Sequence, residues 1–336
     1  MRVKPDDVTV SVRDEMARQS AQRLPRLTTA GPIDEAGWKA LADFGVFHAS
    51  TDEMRHVDLV AALLEIGRGG LPGPVLEAEL AVAAGSADAA AALRHGQVVT
   101  SARPQASAGP IVVGWGACAD LVIDQSSGRV LARSPLPAVE TALPMGHGMI
   151  HAEGGGPDPL AARRWRGGAA LAAGLAHAAI IMATEHVKVR EQFGRTLSSF
   201  QAVQFRLAQS VIELDAAELM VIDAAHKADA GHPYADMASA LAWIYSARAA
   251  ATAEINTHQV VGALGFTTEL GLIHLTYQSA WLRSSLGRTP ALRYVGSHRD
   301  LTKPEPPSVV LAGTAVEHRA TGSTHSREEN AGAGRG

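Results

Sequence analysis

Between Pro159 and Leu286 apolar residues recur at helical spacing through four long segments with short breaks. Leu171, Leu175, Ala178 and Met182 fall on one face of the first segment. Phe200, Val203, Leu207, Val211 and Leu214 do so in the second, and Met237, Leu241, Ile244 and Ile255 mark the third. His232-Pro233 separates the second from the third, and the fourth covers residues 270–286. Helices with one apolar face must bury it against one another, which makes this stretch a four-helix bundle. Composition agrees. Hydrophobic residues make up 46% of the 336, mostly Ala, Leu and Val, and only 4% are aromatic. Ala and Leu are strong helix formers.

The first 95 residues also read as helical. Acidic Asp34 and Glu35 open a segment carrying Trp38, Leu41 and Ala42 and stopping near Gly45. A second helix spans residues 57–68 and ends at Gly69-Gly70. A third follows Pro72-Gly73-Pro74 and runs through an Ala-rich stretch to Arg94. At Gly96 the pattern changes. Short β-branched runs at residues 98–99, 111–113, 121–123 and 130–131 are separated by Gly, Pro, Ser and Asp, up to the Gly-rich turn at residues 153–156. The expected fold class is mainly α with a small β domain. Residues 1–95 form a helical domain, 96–156 the β domain and 157–299 the bundle, with a polar, Pro-containing tail at 300–336 expected to be disordered.

Net charge is −4 and the pI is near 6.4, without the basic excess of a nucleic-acid binder. The single cysteine, Cys118, permits no internal disulfide and is expected to be a small buried residue. Residues 1–18 carry no apolar core of a signal peptide. No apolar run approaches the roughly 20 residues of a membrane span. The expectation is a cytoplasmic protein with no membrane contact. His147 and His151 lie four apart in a Gly-rich stretch, and no metal site is expected there.

Two motifs give a family resemblance. The first is Val189-Arg190-Glu191-Gln192-Phe193-Gly194-Arg195, followed by Leu197 and Phe200-Gln201. The second is His258-Gln259-Val260-Val261-Gly262-Ala263-Leu264-Gly265-Phe266. Together they resemble the Arg-x-x-Phe-Gly turn and the Gln-x-x-Gly-Gly segment of acyl-CoA dehydrogenases, and Leu64-Glu65-Ile66-Gly67-Arg68 resembles a turn of that family's first domain. The resemblance covers roughly residues 30–290. It implies FAD as cofactor, with Arg190, Gln192, Phe193, Phe200, Gln201, Gln259, Gly262 and Ala263 reaching the dinucleotide across a subunit interface. A guanidinium suits a diphosphate because its fork of donors stays charged, and small residues allow a close backbone approach. Ala263 stands where the family has the second glycine. Taken singly each residue also has an ordinary role: Arg190 as a helix-end cation, Phe193 as core, Gln259 on a solvated face.

The same resemblance shows what is missing. The family's catalytic glutamate aligns with Leu286, which cannot accept a proton. The alternative position, on the first bundle helix, holds Arg163-Arg164-Trp165-Arg166. The family's Thr-Glu-Pro and Trp-Ile-Thr segments, which hold the flavin ring, do not occur between Gly96 and Gly156. This pattern resembles the non-catalytic partner in actinobacterial heteromeric (α2β2) acyl-CoA dehydrogenases. It implies a longer, glutamate-bearing partner subunit, a bulky and possibly steroid-derived acyl-CoA substrate, and electron-transfer flavoprotein as acceptor. Two other readings stay open: a self-sufficient enzyme with a displaced base, Glu153 or Asp158, and a non-catalytic scaffold of the same fold.

Overall fold

The structure, a computed structural model, describes residues 14, 33–44, 46–47, 54–104, 109–152 and 158–298. The tail at 300–336, the turn at 153–156 and Glu153 lie outside the described residues.

Among the described residues, four helices precede the strands: α1 (Glu35–Phe44), α2 (His56–Arg68), α3 (Val75–Ala83) and α4 (Ala87–Arg94). The sequence reading ran α3 and α4 together. The chain breaks between them because Gly85 takes φ 81° and the Ser86 hydroxyl accepts from the amide of Ala89 at 3.3 Å, an N-cap that restarts the helix. Five strands follow: β1 (Val99–Ala102), β2 (Gly109–Val113), β3 (Leu121–Asp124), β4 (Val130–Ala132) and β5 (Gly148–Ala152). β1 runs parallel to β3, β4 pairs antiparallel with β3, and β2 with β5 forms a separate antiparallel ribbon. β5 was not expected, because Gly148-Met149-Ile150-His151-Ala152 carries no β-branched run.

The rest is helical: α5 (Ala161–Val189), α6 (Gln201–Asp229), α7 (Ala235–Val261), α8 (Leu272–Leu286) and a short α9 (Thr289–His298) that the sequence reading missed. A two-strand hairpin, β6 (Glu191–Gln192) and β7 (Arg195–Thr196), joins α5 to α6. The fold is mainly α with a small β region, as its sequence pattern implied. One apolar core joins α1–α4, β1 and β3 to the bundle.

α5 is the axis of that core. Contrary to the expectation of no membrane-length apolar run, it is long and apolar enough to cross a bilayer, with a mean hydropathy of 1.5 over an 18-residue window. That window is 78% buried within the protein, so this is a core helix. Its apolarity comes from Ala and Gly, whose small side chains let neighbours close in. At the crossing with α2, a Cβ on Gly174 would stand 2.2 Å from the carbonyl oxygen of Leu64. One on Gly67 would stand 2.7 Å from that of Leu171.

The apolar stripes of α6 and α7 depart from expectation. Of the five residues assigned to the inner face of α6, Leu214 is buried, Phe200, Val203 and Leu207 are half-buried, and Val211 is exposed. On α7, Leu241 and Ile255 face outward, while Ala238, Ala242, Trp243, Ala249, Ala250 and Ala253 face the core. Close packing against α5 selects the small residues for the inner face and turns the long ones outward.

A polar junction ties four helices together. The Asp229 carboxylate, ending α6, accepts from the amides of His56 (2.6 Å) and Val57 (3.1 Å) at the start of α2. Arg166 of α5 is buried and donates to the Ser239 hydroxyl of α7 (2.8 Å) and to His56 Nδ1 (3.1 Å). Only an unprotonated Nδ1 can accept that bond. Burial, then the nearby Arg166 and Arg163 cations, lower the His56 pKa to about 4, against a smaller opposing pull from Asp229.

Two outcomes follow from this packing. Gly174→Ala forces a methyl into backbone and should cost about 1–3 kcal/mol in urea unfolding. The unfolded chain protonates His56 near the ordinary histidine value while the folded chain resists until about pH 4. In that interval the unfolded state binds more protons, so stability falls as pH falls. His56→Gln should flatten this part of the stability–pH curve relative to wild type, as measured by denaturant midpoints across the interval.

Candidate functional site

The first motif forms the hairpin between α5 and α6. Arg190 caps α5 in extended geometry, and its amide still bonds the carbonyl of His186 at 3.0 Å. Phe193-Gly194 is the turn, with φ of 55° and 78°. Two successive positive φ values are what a tight two-residue hairpin demands, and Asn-Gly or Gly-Gly usually supplies them. A phenylalanine there is a conformational outlier. It is also 91% exposed. Its ring meets the edge of Phe200 at 6.2 Å, and the Arg195 guanidinium lies 3.9 Å over the Phe200 ring. Arg195 was not among the sequence-derived site residues, although it closes the same motif. Gln192 bonds only its neighbour's carbonyl, at 2.7 Å, and Gln201 opens α6; both are exposed.

The second motif ends α7. Gln259, Gly262 and Ala263 are exposed. Gly262 adopts φ 74° and ψ −149°, a region closed to residues with a Cβ, and starts the 3-10 turn Gly262–Phe266. His258 holds this turn from beneath. Its ring lies tilted against Phe266 at 4.4 Å, and its Nε2 pairs with the Thr276 hydroxyl at 2.8 Å. Of the eight residues assigned to the cofactor, seven are exposed and Phe200 is half-buried. They sit on two separate elements, the α5–α6 hairpin and the end of α7.

The expected position of a catalytic base lies elsewhere. Leu286 is buried at the end of α8 and lines a cleft of about 690 Å³ between α3, β1, β2, α5 and α8. Asp158, a candidate displaced base, lines the same cleft but is held by Arg103 at 2.8 Å and by both terminal nitrogens of Arg164. Glu77 was missed by the sequence reading. It lines the cleft from α3, and its carboxylate accepts from Trp281 Nε1 at 3.0 Å. Burial pushes its pKa up, against the Trp281 bond. The available signal was a pair of acids, Glu77 and Glu79, inside an otherwise apolar helix. Glu79 faces the other way and pairs with Arg163 at 2.5 Å.

Trp281 joins the three parts of the chain at this cleft. Besides Glu77 of α3, its ring meets the edges of Trp115 (5.9 Å) and His147 (4.7 Å), both in the β region. It fills the space beside Gly114, where a Cβ would stand 2.3 Å from the indole. His147 lies in the turn before β5 and pairs with the Thr141 hydroxyl at 2.9 Å, while His151 lies on β5. Among the described residues no three ligating side chains gather for a metal.

With this geometry in view, residues 161–289 match the family model "Acyl-CoA dehydrogenase, C-terminal domain". They belong to the acyl-CoA dehydrogenase family. A probable acyl-CoA dehydrogenase of Bacillus subtilis, YngJ, is 35% identical over 127 residues, which are 38% of this chain and 33% of that one. The chain thus spans about a third of the length of the curated relatives it matches. The acyl-CoA dehydrogenase fold extends further than the sequence match. The ChsE4-ChsE5 complex from Mycobacterium tuberculosis superposes with a TM-score of 0.72 at 20% identity, covering 91% of this chain and 100% of the other. A steroid acyl-CoA dehydrogenase, Tcur3481-Tcur3483, does so at 0.68 and 22%, covering 87% and 96%.

The strained, exposed Phe193 contributes little to the fold of its own chain. Phe193→Asn relieves a left-handed backbone that costs a bulky side chain roughly 1–2 kcal/mol. The melting temperature of the isolated chain should stay the same or rise, by differential scanning fluorimetry. A clear drop would mean that Phe193 is a structural residue.

Proposed function

We propose that this chain is the accessory half of a heteromeric FAD-dependent acyl-CoA dehydrogenase. It reaches across an interface to the dinucleotide end of a flavin held by a longer partner that carries the catalytic glutamate. The observation that carries this reading is a division within one chain. The residues suited to a dinucleotide face outward, with Phe193 held in a left-handed turn at 91% exposure, while the catalytic position is a buried leucine, Leu286.

The donor set fits that end of FAD. Arg190 supplies a charged fork for a diphosphate, Gln192 and Gln259 supply amides, and Gly262 with Ala263, exposed and small, allow a close backbone approach. Phe193 and Phe200 offer apolar faces to an adenine. Bound FAD supplies the electron acceptor for α,β-dehydrogenation of an acyl-CoA. This chain's residues bind and orient its far end, and the described carboxylates in the cleft are already engaged. Asp158 is tied between two arginines, and Glu77 accepts from Trp281, with burial raising its pKa. These facts weigh against a self-sufficient enzyme acting through Asp158.

The uncovered bundle surface supports a partner. The first half of α6 is exposed along most of its length, including Phe205 at 64% and Ile212 at 69%, and α7 adds Ile255. Contiguous apolar exposure of this kind marks an interaction face. In this reading the substrate is a bulky, ring-bearing acyl-CoA, as the likeness to a steroid acyl-CoA dehydrogenase suggests, and electron-transfer flavoprotein takes the electrons.

Purification of the tagged chain from its own host, with polypeptides and flavin absorbance recorded together, tests this. A second, longer polypeptide and about one flavin per pair is the expected result. Arg190→Ala in that complex should remove a charge-assisted contact of about 1.5–3 kcal/mol, lowering FAD affinity about tenfold or more. A lone chain with its own full flavin complement, or unchanged retention in Arg190→Ala, would refute the assignment.

A further inference from the structure

Two elements that act on one dinucleotide need a fixed spacing, and the apolar core supplies little of it. One element is the hairpin with the start of α6, and the other is the end of α7. From Gln201 to Glu213, Ser210 is the one buried residue of α6. Val203 and Leu207 lie half-buried against the core. Near its matching end α7 buries Ala249, Ala250 and Ala253. Alanine methyls make shallow ridges, and shallow ridges set the sliding position of a neighbouring helix only weakly.

A polar tie stands at this seam. Asn256 of α7 is buried. Its side-chain amide donates to the carbonyl of Arg206 at 3.2 Å and to the hydroxyl of Ser210 at 3.0 Å. Its Oδ1 accepts from the Arg206 guanidinium at 3.1 Å. An arginine can only donate, so this bond also fixes which way the amide points. The Ser210 hydroxyl donates to the Arg206 carbonyl at 3.1 Å and closes the ring of bonds. Both N–H groups and the oxygen of one amide are thus engaged by a single turn of α6. Asn256 comes three residues before Gln259, and Arg206 comes five after Gln201. Along the helix axes these are ~5 Å and ~8 Å, so the tie lies close to both elements.

We propose that Asn256 is a positioning residue: it locks the register of α7 against α6, and so sets the distance between the hairpin and the Gln259–Ala263 turn. A buried asparagine on a helix seam fixes register in this way. The role in cofactor binding rests on the accessory-subunit reading, whereas the spacing is a property of this chain alone. Removing the amide leaves the Arg206 carbonyl its bond from Ser210, so Asn256→Ala strands no backbone group there and should fold.

Spin labels at Glu191→Cys in the hairpin and Thr268→Cys beyond the α7 turn, both exposed, read the spacing by double electron–electron resonance on the full chain, in a Cys118→Ser background. The parent should give one narrow distance. Asn256→Ala should broaden it or shift it by ~1.5 Å or more, the rise of one helical residue. Arg206→Met, a change at an exposed position, should do the same to a smaller extent. In the complex that co-purifies, unlabelled Asn256→Ala should bind FAD about tenfold more weakly in a fluorescence titration, as for one charge-assisted contact carried out of reach. An unchanged distance in both variants would overturn the proposal, even with a lower melting temperature, because a merely stabilising bond moves only the latter. A changed distance with unchanged FAD affinity would overturn the role in the site. A parent complex without flavin would sink the accessory-subunit reading and the cofactor role with it, while the label distance still decides the register lock.

Discussion

The approach of α2 and α5 at Gly67 and Gly174 sets the spacing that the rest of the chain inherits. With no Cβ on either side, the two backbones come closer than any other residue pair would permit. α5 then sits at the centre; α7 packs with Ala, Ser and one tryptophan, Trp243, while α8 buries Leu272, Leu275, Leu282 and Leu286. Trp243 also bonds the Gly287 carbonyl at 2.7 Å, beside Leu286. A core this rich in alanine gains little area per side chain and depends on close contact to gain dispersion. Tight inner packing has an outer consequence. The long apolar side chains of α6 and α7 have no room inside and are displaced to the surface, where they form a face that one chain cannot cover.

The same packing decides which parts of the fold were legible in the sequence. Helix period and the Gly and Pro breaks identify α2, α5, α6 and α7 without difficulty. They do not say which face turns inward. Side-chain hydrophobicity alone favours Leu241 and Ile255, whereas packing against an Ala-Gly helix favours Ala242 and Ala253. The Gly85-Ser86 restart is one cap inside an alanine run, and α9 is a short segment after Leu286-Gly287 with only Ala291 fully buried. Both are local choices that tertiary contact decides.

The site divides along the same line. Residues whose role depends on backbone geometry and exposure, such as Arg190, Phe193 and Gly262, announce themselves as a spaced pattern. The reason is that a tight turn and a close approach constrain residue type. Phe193 is informative because it violates the turn preference: a residue kept at positive φ and in solvent is held there by something other than its own fold. Glu77, Ser101, Gln125 and Arg164 come from four separate segments and meet only through tertiary structure. No spacing could have assembled them.

Leu286 links the axis helix to the cleft. Its side chain lies against Gly168 on α5, where a Cβ would stand 2.3 Å from it, so the axis helix itself fixes where the end of α8 can sit. A glutamate at this position would bring an ionisable group to a buried wall whose only described counter-charges already share Asp158. Leucine removes that cost and turns the position into part of an apolar surface. A leucine here is therefore not an isolated feature. It agrees with the buried Glu77, the closed Arg103–Asp158–Arg164 cluster and the indole of Trp281 set against Gly114. Together these fix the lining of the cleft, while the hairpin and the α7 terminus lie outside it, on two other elements.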